Sequence, residues 1–141
     1  MLHILVIDGQ GGGIGRQVVE ALRAKWDRRI HITAAGTNVL ATSGMLRAGA
    51  DEGATGDNPI RVLAPRVDVI IGPIGLLLPN AMLGEVTPAI AHAVASSPAR
   101  KIMIPLSRCG VEIAGVSVPS LGECIEAAAE RAGKMVFEQT I

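Results

Sequence analysis

The run Asp8-Gly9-Gln10-Gly11-Gly12-Gly13-Ile14-Gly15 puts five glycines into seven residues directly behind an apolar segment. Glycine accepts positive φ and lets backbone N–H groups approach an anion closely, and a helix starting within such a run adds the positive end of its dipole. Phosphate is the guest that this chemistry suits. Two common fingerprints are absent: no pair of these glycines is completed to G-x-G-x-x-G, and no Gly-Lys-Ser or Gly-Lys-Thr makes a P-loop. The spacing present is G-x-x-x-G-x-G, at Gly9, Gly13 and Gly15. A plainer reading, that the glycines only permit a tight turn and close helix packing, stands beside it.

Ligands of open α/β sheets bind beyond the carboxyl ends of the strands, so the residues after each apolar run are the next candidates. Residues 36–42, 72–80 and 107–109 occupy such positions, with Gly36, Thr37, Asn38, Gly72, Pro73 and Ile74 the candidate binding residues and Ser107-Arg108-Cys109 the third cluster. An NAD-binding domain usually offers a carboxylate to the ribose at the tip of its second strand. Here Thr37 and Asn38 stand there instead, which directs the expectation toward NADP rather than NAD, or toward a mononucleotide. The same two residues also suit the N-cap of a helix. Arg108 favours thiolate at Cys109, although a small buried cysteine at a strand end is the commoner use. His3, His31 and His92 show no metal-ligand spacing, and Asp51, Glu52 and Asp57 lack a calcium-loop pattern, so no metal site is expected.

The elements that must position these residues follow from periodicity. Residues 1–7 and 67–71 are apolar at nearly every position, as in parallel strands covered on both faces. Val18, Val19, Leu22 and Trp26 recur at helical spacing behind the glycines. A second strand is predicted at 30–35, a helix at 38–48 closed by Gly49, a short strand at 51–55, and a short helix begun by Asn58 and Pro59. An irregular apolar loop is expected from Gly72 to Glu85. Thr87 and Pro88 begin a further helix, residues 101–106 a strand, and 111–118 an edge strand. A last helix follows the Ser120/Glu123 capping pattern and ends near Gly133. Strands alternating with helices on short connections give a Rossmann-like, doubly wound, mainly parallel sheet of four to five strands in a single domain over residues 1–141.

The run GQGGGIG resembles the cofactor turn of short-chain dehydrogenases/reductases, and Val67-Asp68-Val69-Ile70-Ile71-Gly72-Pro73-Ile74-Gly75 is similar to that family's later strand and its final glycine. The resemblance covers the first 75 or so residues and implies NADP or NAD at the turn. The family's catalytic Tyr-x-x-x-Lys cannot exist in a chain without tyrosine, so its ordinary catalysis is excluded. A short Gly-Thr turn followed by a Val-Asp-Val strand is similar to methylglyoxal synthase. Over nearly the whole chain, IDGQGGGIG, GTNVLATSGMLRAGADEGATGDN, VDVIIGPIG and IPLSRCG resemble a family of uncharacterised bacterial proteins classed as a domain of unknown function. That resemblance implies a bacterial, cytoplasmic protein with a Rossmann-like fold and brings no activity.

Composition narrows the partners. Lys plus Arg equal Asp plus Glu at 13 each, and one Phe, one Trp and no Tyr leave no stacking platform, so neither nucleic acid nor an anionic membrane surface is expected. An apolar fraction of 49% against 18% charged points to burial on several sides, including a homodimer interface. The function expected is a nucleotide-binding, sensing or regulatory module. One alternative is a small enzyme acting on a phosphorylated metabolite, with Gly36, Thr37 and Thr42 on the phosphate and Asp8, Asp51 or Asp57 as acid or base. The other is a structural subunit without a ligand.

Overall fold

The structure, a computed structural model, describes residues 1–10, 13–105 and 110–137, the side chains of Met135 and Val136 excepted. Gly11, Gly12 and the Ser107–Cys109 cluster therefore lie outside the described residues.

Five strands form one parallel sheet in the order β3-β2-β1-β4-β5: β1 (Leu2–Asp8), β2 (Ile30–Gly36), β3 (Glu52–Thr55), β4 (Val69–Pro73) and β5 (Arg100–Ile104). Connections run through α1 (Gly13–Trp26), α2 (Val39–Ala48), α3 (Asp57–Leu63) and α4 (Pro88–Ser96), and α5 (Leu121–Phe137) closes the described chain. Alternation along β1 explains why that strand reads as continuously apolar. Leu2, Ile4 and Val6 face one helical layer with Val18, Leu22, Met45 and Ile125. Leu5 and Ile7 face the other with Ile60, Leu76, Ile90 and Val94. Each such side chain fully removed from water contributes about 1.5–3 kcal/mol, so a strand at the sheet's centre must be apolar on both faces. This is the Rossmann-like three-layer arrangement expected, and its strand order reverses between β1 and β4, which makes that crevice the topological switch point.

Local chemistry sets the element ends. Asn38 caps α2 by accepting from the Ala41 N–H at 2.9 Å, and Gly49 closes the helix at φ +122°. Thr87 caps α4 through the Ile90 N–H at 3.1 Å, with Pro88 at the first helical position. Three expectations need correction. Residues 111–118 form no strand: the stretch is irregular, with Val116 and Val118 exposed, and β5 is an edge strand among the described residues. The last helix does not stop at Gly133. That glycine is interior because a Cβ there would collide with the Trp26 indole, whose N–H donates to Ala129 O at 2.7 Å and ties α1 to α5. Residues 74–77, placed in an irregular loop, make a short 3-10 turn that packs Leu76 into the core.

Candidate functional site

Asp8 ends β1 at the switch point, and its carboxylate turns back onto the glycine turn. Oδ1 accepts from Gly9 N–H at 2.8 Å and Oδ2 from Gly15 N–H at 2.6 Å, so the side chain caps α1. Asp8 is buried. That burial pushes its carboxyl above the ordinary value; the N–H groups of Gly15, Gly9 and Ile14 pull the other way, and the charge of Glu85 adds to the rise.

The glycines divide by what surrounds them. A Cβ on Gly15 would lie 2.6 Å from Met45 Sδ and 2.8 Å from Asp8 Cβ, so close packing of α1 requires that glycine. Gly9 is similarly confined, with Thr37 Oγ1 at 2.6 Å and Met82 Sδ at 2.9 Å from such a Cβ. Gly13 differs, since a Cβ there meets nothing within 4 Å. It is the exposed first residue of α1, a helix of 14 residues. Packing thus accounts for Gly9 and Gly15 and leaves Gly13 exposed and unconfined. Ile14 follows it, half-buried against the core.

Thr37 and Asn38 continue β2 beside this turn. The Thr37 N–H donates to Asp8 O at 3.0 Å, and Asn38 Nδ2 donates to Gln10 O at 2.8 Å. Gln10 itself takes φ +47°. Sequence reading missed the group that completes the cluster, Glu85. Its Oε1 accepts from Thr37 Oγ1 at 2.6 Å, from the Gln10 N–H at 2.8 Å and from Asn38 Nδ2 at 3.0 Å. The Thr37 hydroxyl first, then the Gln10 N–H, hold the Glu85 carboxyl below its ordinary value, and Asn38 adds to this. A carboxylate therefore stands at the tip of the second strand after all, delivered by a loop 48 residues away in sequence from Thr37.

That loop is tightly made. Asn80 N–H donates to Val86 O at 2.6 Å and Val86 N–H to Ala81 O at 3.1 Å, with Val86 fully buried as its anchor. Asn80, Met82 and Leu83 all hold positive φ, and Leu83 is 98% exposed. Left-handed backbone in such residues costs energy and concentrates at binding sites. No sequence signal short of the fold would have linked Glu85 to Thr37.

Gly72, Pro73 and Ile74 flank the other side of the switch point, at the end of β4. A Cβ on Gly72 would strike Leu76 and come within 2.5 Å of Ile7 O, so that glycine serves close approach of the 3-10 turn. Gly36 is held likewise, with its N–H donating to Thr42 Oγ1 at 3.1 Å. Of the other acids considered, Asp57 accepts from Thr87 Oγ1 at 2.7 Å, and Asp51 pairs with Arg23 at the opposite ends of the strands. Asp8 alone of the three belongs to the cluster. A shallow groove between α3 and α4, lined in part by Arg61, His92 and Ser97, contains none of its residues.

Residues 3–137 match the model of a family described as Domain of unknown function (DUF3842). The chain belongs to that family. Among solved structures, this DUF3842 chain is similar to a dodecameric FMN-dependent UbiX-like decarboxylase from Escherichia coli O157:H7, at 15% identity and TM-score 0.47, over 96% of this chain and 94% of that one. It is also similar to a universal stress protein in complex with cAMP, at 18% identity and TM-score 0.42, over 74% of this chain and 98% of that one. Neither likeness bears on what the DUF3842 chain binds. No described helix is long and apolar enough to cross a membrane.

Proposed function

We propose that this protein binds a nucleotide at the carboxyl edge of its sheet, acting as a cytoplasmic sensing or regulatory module. The observation that carries the reading is the open space at Gly13, at the start of α1 and beside the switch point, where a phosphate meets helix N–H groups. Asp8 already takes the Gly9 and Gly15 donors, which leaves Gly13, at the start of α1, for the phosphate. Glu85, with Thr37 and Asn38, suits ribose hydroxyls. Its negative charge opposes a 2′-phosphate, which turns the preference from NADP toward NAD or another nucleotide with free ribose hydroxyls. The resemblance of the glycine turn to short-chain dehydrogenases/reductases agrees with a nicotinamide dinucleotide. Exposed Val39 and Leu40, next to Asn38, offer an apolar contact for a base without aromatic stacking. Exposed Val116 and Val118, following edge strand β5 in the chain, suit a homodimer interface.

The test is a thermal-shift screen against NAD, NADP, FAD, ATP, GTP and sugar phosphates. Ligand at a hundred times its dissociation constant adds about 2.7 kcal/mol, a shift of several degrees in a domain of this size. A rise with one nucleotide class supports the reading; no rise with any of them sinks it.

A further inference from the structure

At the amino ends of the same strands, parallel pairing assembles side chains that no sequence spacing would group. His3 on β1 lies in register with His31 on β2, and Thr33 of β2 lies in register with Glu52 of β3. One ligand atom each from His3, His31 and Glu52 lies within 4.8 Å of the others. His31 Nε2 and Glu52 Oε2 are 2.8 Å apart, and the two imidazole rings meet edge to face with centroids 4.7 Å apart. Both histidines are half-buried and Glu52 is exposed, so the cluster is reachable from solvent.

We propose that His3, His31 and Glu52 form a divalent transition-metal site of the zinc class, open at one coordination position. Two imidazoles and one carboxylate are the donor set of open zinc centres, whose bonds of about 2.0–2.2 Å place tetrahedral ligand atoms about 3.4 Å apart. His31 Nε2 and Glu52 Oε2, at 2.8 Å, stand closer than that, and all three ligand atoms lie within 4.8 Å of one another. The supporting groups are also in place. Asp51 Oδ2 stands 3.5 Å from His31 Nδ1, fixed by Arg23 and by the Ile32 N–H at 2.8 Å, which leaves Nε2 to face the ion. Thr33 Oγ1, on a buried residue, bonds Glu52 Oε2 at 2.9 Å and His3 Nε2 at 2.8 Å. Such outer partners orient metal ligands and fix their tautomers. Without the ion the same atoms satisfy one another, so the site stays assembled. All three ligands project from adjacent hydrogen-bonded strands, a rigid base for a metal.

The full chain without a histidine tag is titrated with Zn2+ and with Co2+ alone. The expected result is saturable binding of one ion per chain, a Co2+ visible spectrum without a thiolate charge-transfer band, and a raised melting temperature. His31→Gln and Glu52→Gln abolish saturable binding, while His92→Gln, at an exposed position of α4, leaves it unchanged. Asp51→Asn weakens it by about 10-fold or more; equal affinity there overturns the role given to Asp51. Absence of saturable binding, wild-type affinity in His31→Gln, or a thiolate band from cysteine ligation overturns the site.

Discussion

At the carboxyl ends of the strands the polar groups belong mostly to loops. The glycine turn, Thr37, Asn38 and Glu85 are held by hydrogen bonds from backbone and caps. At the amino ends they belong to the strands themselves, His3, His31, Thr33 and Glu52, and register alone brings them together. A loop site is announced by unusual local sequence, because glycines and caps are needed to bend the chain. A register site looks like ordinary strand until the pairing is known, since its partners lie on different strands and no local spacing joins them. The same contrast separates glycines that the fold needs from one that the fold leaves open.

The largest effect follows from that last distinction. Gly72→Ala drives a Cβ toward Leu76 and the Ile7 carbonyl, and backbone cannot yield as a side chain can, so a loss of about 1–3 kcal/mol or more is expected. Urea unfolding measures it; a midpoint within error of wild type would show that β4 and its following turn tolerate separation. Next comes Asp8→Ala, which leaves the buried Gly15 N–H without its acceptor and costs about 1–2 kcal/mol. Asp8 also makes a pH signature. Its folded value is raised, so between about 3.9 in the unfolded chain and that raised value the folded state holds more protons, and stability falls as pH rises through the window. Asp8→Asn removes this slope. An unchanged pH profile in the variant would mean that the carboxyl is not held above its ordinary value.

How much of this was legible from sequence depends on the same physics. The strand-turn-helix order and Asn38 and Thr87 as caps follow from period and local chemistry, and the five parallel strands agree with them, whereas the strand order that sets the switch point comes from the pairing. The exposed stretch 111–118 misled because apolar residues close to alternation suit a strand but do not supply a partner for one. Gly133 misled because a helix-ending residue and a helix-packing residue are the same letter; only the position of Trp26 decides. Glu85 and the His3/His31/Glu52 group were invisible because both depend on contacts between segments far apart in the chain.

Two predictions of similar size compare the edges directly. Glu85→Gln removes the charge that opposes a 2′-phosphate, so discrimination against NADP relative to NAD falls about tenfold, near 1.4 kcal/mol, in paired titrations. An unchanged ratio would detach Glu85 from the ribose. Thr33→Val keeps shape but deletes the hydroxyl that joins His3 to Glu52, at a cost of about 1 kcal/mol by denaturant midpoint. No loss would mean that water replaces the hydroxyl fully, and the amino-edge network would then be a set of separate surface groups.

Gly13→Ala carries the smallest expected change in stability and tests the carboxyl edge most sharply. Nothing lies within 4 Å of the new methyl, and the position is the first residue of α1, where alanine is the better helix former. The variant should gain up to about 0.5–1 kcal/mol. If the open space exists to receive a phosphate, the same methyl stands where the anion must approach the backbone, so the nucleotide-induced rise in melting temperature should shrink or vanish while the free protein is no less stable than before. Fold and binding then part at one atom. A variant that is stabilised and still responds fully to nucleotide would show that ligand phosphates do not approach Gly13, and a variant that is destabilised would show that the position is confined, as packing confines Gly9 and Gly15.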